Sequence, residues 1–127
     1  LHEANVDFVK HAMEGVNMDR EGTGARAFAG AQYTSAGKTG TAQVIAIKQN
    51  EKYEEKNVAE RFRDHSLFIV FAPVESPKIA LAVVVENGGF GARAAAPIAR
   101  AVLDYYLLGK VPAHKNVKED DSSQGRE

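Results

Sequence analysis

Apolar positions near the start of the chain recur at helical spacing. Val6, Phe8, Val9, Ala12, Met13 and Val16 are separated mainly by three or four residues, which predicts an amphipathic helix over residues 4–18. Asn5 or Asp7 is expected to cap its start, and Gly15 or the Asn17-Met18-Asp19 group to end it. Residues 20–30, with Gly22, Gly24 and Gly30 among small side chains, read as a flexible connection. They lack the preceding strand and the spacing of a phosphate-binding loop.

The period then changes. Val44-Ile45-Ala46-Ile47 is apolar and mostly β-branched, so it predicts a strand entered from Gly37 and Lys38. Residues 48–64 carry five basic and five acidic side chains, with Tyr53, Val58, Ala59 and Phe62 as apolar relief. Such a run predicts a solvated loop or short surface helix, and Asn57-Val58-Ala59-Glu60 has the spacing of a capping box. Arg61, Arg63, Asp64 and His65 are expected to form surface ion pairs of little energetic weight. Residues 66–72 and 79–86 are two apolar strands, joined by the hairpin chemistry of Pro73-Val74-Glu75-Ser76-Pro77-Lys78. After the turn Asn87-Gly88-Gly89-Phe90-Gly91, a helix over 95–108 has Pro97 in its first turn and Gly109 at its end. Ile98, Ala101, Val102, Tyr105 and Leu108 form its expected packing stripe. Residues 118–127 contain no apolar side chain, and 111–127 are expected to be a disordered tail.

These elements make an α+β unit: three antiparallel strands with an N-terminal and a C-terminal helix. The near-continuous run Ile79-Ala80-Leu81-Ala82-Val83-Val84-Val85 implies burial on both faces. Two helices cannot cover both, so one sheet face or edge is expected to remain open.

Composition narrows the function classes. A chain of 127 residues is one domain at most. Its 16 basic and 17 acidic residues are nearly balanced, with no basic cluster interleaved with aromatics, so nucleic acid is not an expected partner. Cysteine is absent, which excludes disulfides and thiolate metal sites; no metal or cofactor is suggested. No apolar stretch reaches the roughly 18–20 residues needed to cross a bilayer, and Leu1-His2-Glu3-Ala4-Asn5 has no signal-peptide character, so the chain is expected to be soluble.

The candidate chemistry lies in Ala36-Gly37-Lys38-Thr39-Gly40-Thr41-Ala42-Gln43-Val44. In a strand, Lys38 and Gly40 share one face while Thr39 and Thr41 share the other, where paired hydroxyls can meet one carboxylate. Gly40 leaves the backbone unshielded for an extended ligand to pair as an added strand. Ser35-Ala36-Gly37-Lys38 matches Ser-x-x-Lys literally, but Gly37 and the strand deny the helical turn that a nucleophile pair requires. His11 has no partner ligand one helical turn away and reads as an ordinary surface residue.

The 37–44 string contains Lys-Thr-Gly, a motif of penicillin-recognising serine enzymes. Its order with Asp64-His65-Ser66-Leu67-Phe68-Ile69-Val70-Phe71-Ala72-Pro73 and Val83-Val84-Val85-Glu86-Asn87-Gly88-Gly89 resembles the C-terminal part of the transpeptidase domain of elongation-type class B penicillin-binding proteins. The likeness runs over about residues 7–110. It implies a serine acyl-enzyme that cross-links peptidoglycan stem peptides ending in D-alanyl-D-alanine and is acylated by β-lactams. By the same likeness, Lys38 supplies positive charge, Thr39 and Thr41 hold the substrate carboxylate, Gly40 gives backbone access, and the Thr41 N–H forms half of an oxyanion hole. The nucleophile is not in this chain, nor is a Ser-x-Asn motif. An inner-membrane anchor, a periplasmic setting, the upstream part of the domain and a SEDS-type glycan polymerase as partner are also implied, so the chain alone is expected to be inactive. A serine β-lactamase or D,D-carboxypeptidase, or a non-catalytic penicillin sensor, remains the alternative.

Overall fold

The computed structural model describes residues 1–46, 52 and 58–113. Three strands, Ala36–Ala42 (β1), His65–Ala72 (β2) and Ile79–Val85 (β3), form one antiparallel sheet in the order β1-β2-β3. Glu3–Met18 (α1), the short Ala25–Phe28 (α2) and Ala95–Leu108 (α3) complete the α+β unit, with a 3-10 turn at Glu60–Phe62. The fold class and the strand order along the chain are those read from the sequence.

Alternation in β2 decides where the core sits. Ser66, Phe68, Val70 and Ala72 are buried, while the intervening Leu67, Ile69 and Phe71 are more exposed. The register sets Gly37 opposite Val70, Thr39 opposite Phe68 and Thr41 opposite Ser66, so these residues share the covered face. On β3 the same face carries Ile79, Leu81, Val83 and Val85, all packed on the core. From α3 come Ala95, Ala96, Ala99 and Leu103, and from α2 comes Phe28, whose ring stacks on Phe68 with centroids 5.8 Å apart. The opposite face is open among the described residues: Ile69 is 49% and Val84 60% exposed, as expected of a sheet with too few helices.

A polar brace ties the covered layer together. Tyr33 Oη donates to Asp104 Oδ1 at 2.7 Å, Arg100 Nε donates to the same oxygen at 2.8 Å, and Arg100 Nη1 reaches the Ala27 and Ala29 carbonyls. Burial, then the Asp104 hydrogen bond and charge, push the Tyr33 hydroxyl well above its ordinary range. Burial alone would raise the Asp104 carboxyl, but the bonds from Tyr33 and Arg100, with the charges of Arg100 and Lys110, hold it below the usual carboxylate range.

Several expectations need correction. The first strand is not built on Val44-Ile45-Ala46: it ends at Ala42, and Ile47 lies outside the described residues. Pairing with β2 overrides local β-propensity, and the Val44 N–H is taken by Asp64 Oδ1 at 3.1 Å instead of a further rung. α1 starts at Glu3 behind His2 with no side-chain cap, so neither Asn5 nor Asp7 caps it. It ends at Met18, where Asp19 N–H returns to Gly15 O. The supposed flexible connection contains α2 and successive tight turns.

α3 keeps its expected bounds, closed by Gly109 in the left-handed conformation at φ 68°. It packs through the wrong stripe, however. Alanines allow the helix close to the sheet, whereas Ile98, Val102 and Tyr105 face outward beside Pro97, Ala101 and Pro112 in an apolar groove of about 480 Å³. Near β2, Asp64 is buried and His65 Nδ1 accepts the Asn87 N–H at 2.9 Å, so this pair is not a set of surface charges. Arg61 lies over the Phe62 ring at 4.7 Å, and Arg63 Nε donates to Val58 O at 3.4 Å. The helical turn here begins at Glu60, with Ala59 at its cap; Asn57 lies outside the described residues. Among the described residues no helix is long and apolar enough to cross a membrane.

Candidate active site

β1 is an edge strand, and its two ends differ. Ser35, Ala36 and Gly37 are buried, whereas Lys38, Thr41 and Ala42 are exposed. The buried end is held by Asn17 at the end of α1, whose Nδ2 donates to Ser35 Oγ at 3.0 Å. That bond and its 0% exposure make Ser35 a structural hydroxyl with no path to a ligand. Lys38 comes three positions later, which an extended strand turns to the opposite side.

Lys38 emerges on the open face, opposite Ile69. Its Nζ donates to the Thr39 carbonyl at 2.8 Å, and among the described residues no carboxylate pairs with it. An amine held against the backbone, with no carboxylate partner among the described residues, is available to an anionic ligand. Thr39 and Thr41 stand on the covered face, toward its rim, where Thr39 is half-buried and Thr41 exposed. Thr39 Oγ1 lies 3.2 Å from Thr23 Oγ1. The structure therefore brings Lys38, Thr39, Gly40 and Thr41 onto one exposed strand segment.

The turn before α3 closes one side of this segment. Leu67 directs its side chain to the open face and Gly40 opposite it has none, so their backbone is bare on the covered face. Gly91 seats there: a Cβ on it would run into the Leu67 and Gly40 carbonyl oxygens. Two bonds fix the turn, from Gly89 N to Asp64 O at 2.9 Å and from Ala95 N to Ser66 Oγ at 3.1 Å. Asn87 adds a clamp. It adopts φ 54°, and its Nδ2 reaches the carbonyls of Arg61 and Arg63 at 3.2 and 2.9 Å. Among the described residues no group of His, Asp and Glu is arranged to hold a metal ion. His11 is exposed and its Nδ1 lies 2.8 Å from Asp7 O, the surface role expected of it.

Sequence reasoning missed Asn17, Thr23, Asp64 and Asn87 at this site. The pairing of Gly22 and Gly24 around Thr23 was the available signal, because glycines flanking a hydroxyl residue mark a place where backbones approach closely.

The model of the penicillin binding protein transpeptidase domain matches residues 1–104. The chain belongs to the penicillin-binding protein transpeptidase family. Within that family it is similar to the peptidoglycan D,D-transpeptidase MrdA of Haemophilus influenzae, 46% identical over 103 residues, which is 81% of this chain and 16% of the relative. Among solved structures, Pseudomonas aeruginosa PBP2 in complex with WCK 5153 superimposes with a TM-score of 0.68 at 40% identity, covering 89% of this chain and 22% of that one. The imipenem acyl-enzyme complex of Mycobacterium tuberculosis penicillin-binding protein A gives a TM-score of 0.57 at 30% identity, over 84% and 20% of the two chains. The likeness to class B, elongation-type penicillin-binding proteins thus holds in sequence and in fold. The chain spans less than a fifth of the MrdA relative, so this segment is one part of the transpeptidase architecture.

Proposed function

We propose that this chain is the C-terminal portion, residues 1–110, of a serine-type peptidoglycan D,D-transpeptidase, and that it supplies one wall of the binding cleft. The observation that carries the proposal is Lys38, with no carboxylate partner among the described residues, beside Thr39, Gly40 and Thr41 on an edge strand. The chemistry is the one that the family resemblance implies for those residues. Lys38 attracts the terminal carboxylate of a D-alanyl-D-alanine stem peptide and stabilises the ionised state of the proton network around the attacking serine. The hydroxyls of Thr39 and Thr41 donate to that carboxylate. The Thr41 N–H stabilises the oxyanion that develops when the serine attacks, in partnership with the nucleophile's own N–H.

The nucleophile comes from the preceding part of the same domain, which packs on the open sheet face, so the chain alone is inactive. β-Lactams enter as mimics of the dipeptide and leave the serine acylated. An inner-membrane anchor outside this chain, a periplasm-facing catalytic domain and a SEDS-type glycan polymerase partner complete the reading. Similarity to MrdA and to an imipenem acyl-enzyme supports it.

Replacing Lys38 by Ala in the full-length protein tests the proposal. The second-order rate of acylation by benzylpenicillin, followed by intact mass, is expected to fall by about two to three orders of magnitude with the melting temperature retained. An unchanged rate would sink the role given to Lys38.

A further inference from the structure

The run 20–30 looks in sequence like a loose connection, yet the structure makes its centre rigid. Gly22 N–H bonds to Asp19 O at 2.9 Å and Gly24 N–H to Val16 O at 2.8 Å, folding the segment back on the end of α1. Neither glycine has room for a side chain. A Cβ on Gly22 would strike the Val16 and Gly15 carbonyls, and one on Gly24 would strike Asn17 Oδ1. The segment is thus pressed against the same Asn17 that anchors Ser35 at the head of β1. Thr23, between the two glycines, is the one side chain of the three, and its Oγ1 lies 3.2 Å from Thr39 Oγ1.

We infer that Thr23 is a positioning residue for the carboxylate site, acting through the hydroxyl of Thr39. The inference rests on the functional reading above. A threonine hydroxyl has one proton to donate. If Thr39 spends it on Thr23, only lone pairs face an incoming carboxylate, and the contact is repulsive. If Thr23 donates to Thr39, the Thr39 proton is free to point at the anion, and the two bonds run in one direction and strengthen each other. The bound state therefore selects the order Thr23 to Thr39 to carboxylate. The turn of Gly22 and Gly24 keeps Thr23 in place for that order before any ligand arrives. Thr23 itself touches no substrate.

The test uses the full-length protein with Thr23→Val, Thr23→Ser, Thr39→Val and the Thr23→Val/Thr39→Val double variant. Each is measured for the second-order rate of acylation by benzylpenicillin, split into pre-acylation affinity and acylation step. Thr23→Val is expected to lower the rate about three- to tenfold, chiefly through affinity, as befits loss of one neutral hydrogen bond. Thr23→Ser, which restores the hydroxyl, is expected to recover the rate to within about twofold. In the Thr39→Val background the Thr23 change is expected to have no further effect, because the hydroxyl it orients is gone. An equal loss in both backgrounds, or no loss in either, overturns the assignment. A rate untouched by Thr39→Val and by Lys38→Ala overturns the functional reading beneath it, and the Thr23 role falls with it.

Discussion

Gly37 and Gly40 stand three residues apart in one strand, and their surroundings have little in common. A Cβ on Gly37 would sit 2.8 Å from Ile69 O, 2.8 Å from Phe68 Cζ and 3.1 Å from Asn17 Nδ2, inside a packed layer. A Cβ on Gly40 would meet Leu67 Cβ at 3.3 Å on the open face and little else. The first glycine is required by packing; the second is compatible with a side chain but leaves the backbone clear. One end of β1 therefore belongs to the core and the other is exposed, where the proposed function places the ligand, and the change occurs at Lys38.

The sharpest way to break this contrast is to add one methyl group at each position of the full-length protein. Gly37→Ala is expected to cost about 2–3 kcal/mol, because backbone and an anchored ring must move. Gly40→Ala is expected to cost less than about 1 kcal/mol, since only the Leu67 side chain has to yield, while penicillin acylation slows. Denaturant midpoints and acylation rates of the two variants check both statements. Equal destabilisation would erase the distinction.

A smaller effect probes the anchor behind the buried end. Asn17→Ala removes the amide that donates to the fully buried Ser35 hydroxyl, and a loss of about 1–3 kcal/mol is expected. Equilibrium unfolding measures it, and acylation by the folded protein is expected to change less than it does for Lys38→Ala.

The smallest effect is a pH dependence far from β1. The folded-state pKa of Asp104 is depressed, so its contribution to stability is present above the unfolded value of about 3.9 and is lost as pH falls through the folded value. Melting temperatures compared at pH 6 and pH 3 are expected to fall less for Asp104→Asn than for the parent. A parallel fall would show that the brace contributes nothing through its charge.

How much of this was legible depended on whether the deciding contact was local. The bounds of α3 were readable because Pro97 and Gly109 act on their own backbone, and the β2–β3 hairpin because its turn chemistry sits between two apolar runs. The packing face of α3 was not readable. Ile98, Val102 and Tyr105 make the more apolar stripe, yet the sheet selects Ala95, Ala96, Ala99 and Leu103 because small side chains let the layers approach. At the site, the Lys38-Thr39-Gly40-Thr41 string and its alternation could be read directly. Thr23 could not, since its approach to Thr39 depends on how the turn docks against α1.

The early end of β1 bears on self-association. An uncovered strand edge is a template for copies of itself, and long, flat, β-branched edges are the most dangerous. Here the edge is seven residues long and reads Ala-Gly-Lys-Thr-Gly-Thr-Ala, poor in the residues that stack into fibrils and marked by a lysine. The β-branched pair that follows, Val44 and Ile45, lies outside the strand, with the Val44 amide held by the Asp64 carboxylate. The strand owes its conformation to β2 and offers a second copy little reason to join it, so the edge that the proposed function gives to a short ligand is a poor template for aggregation.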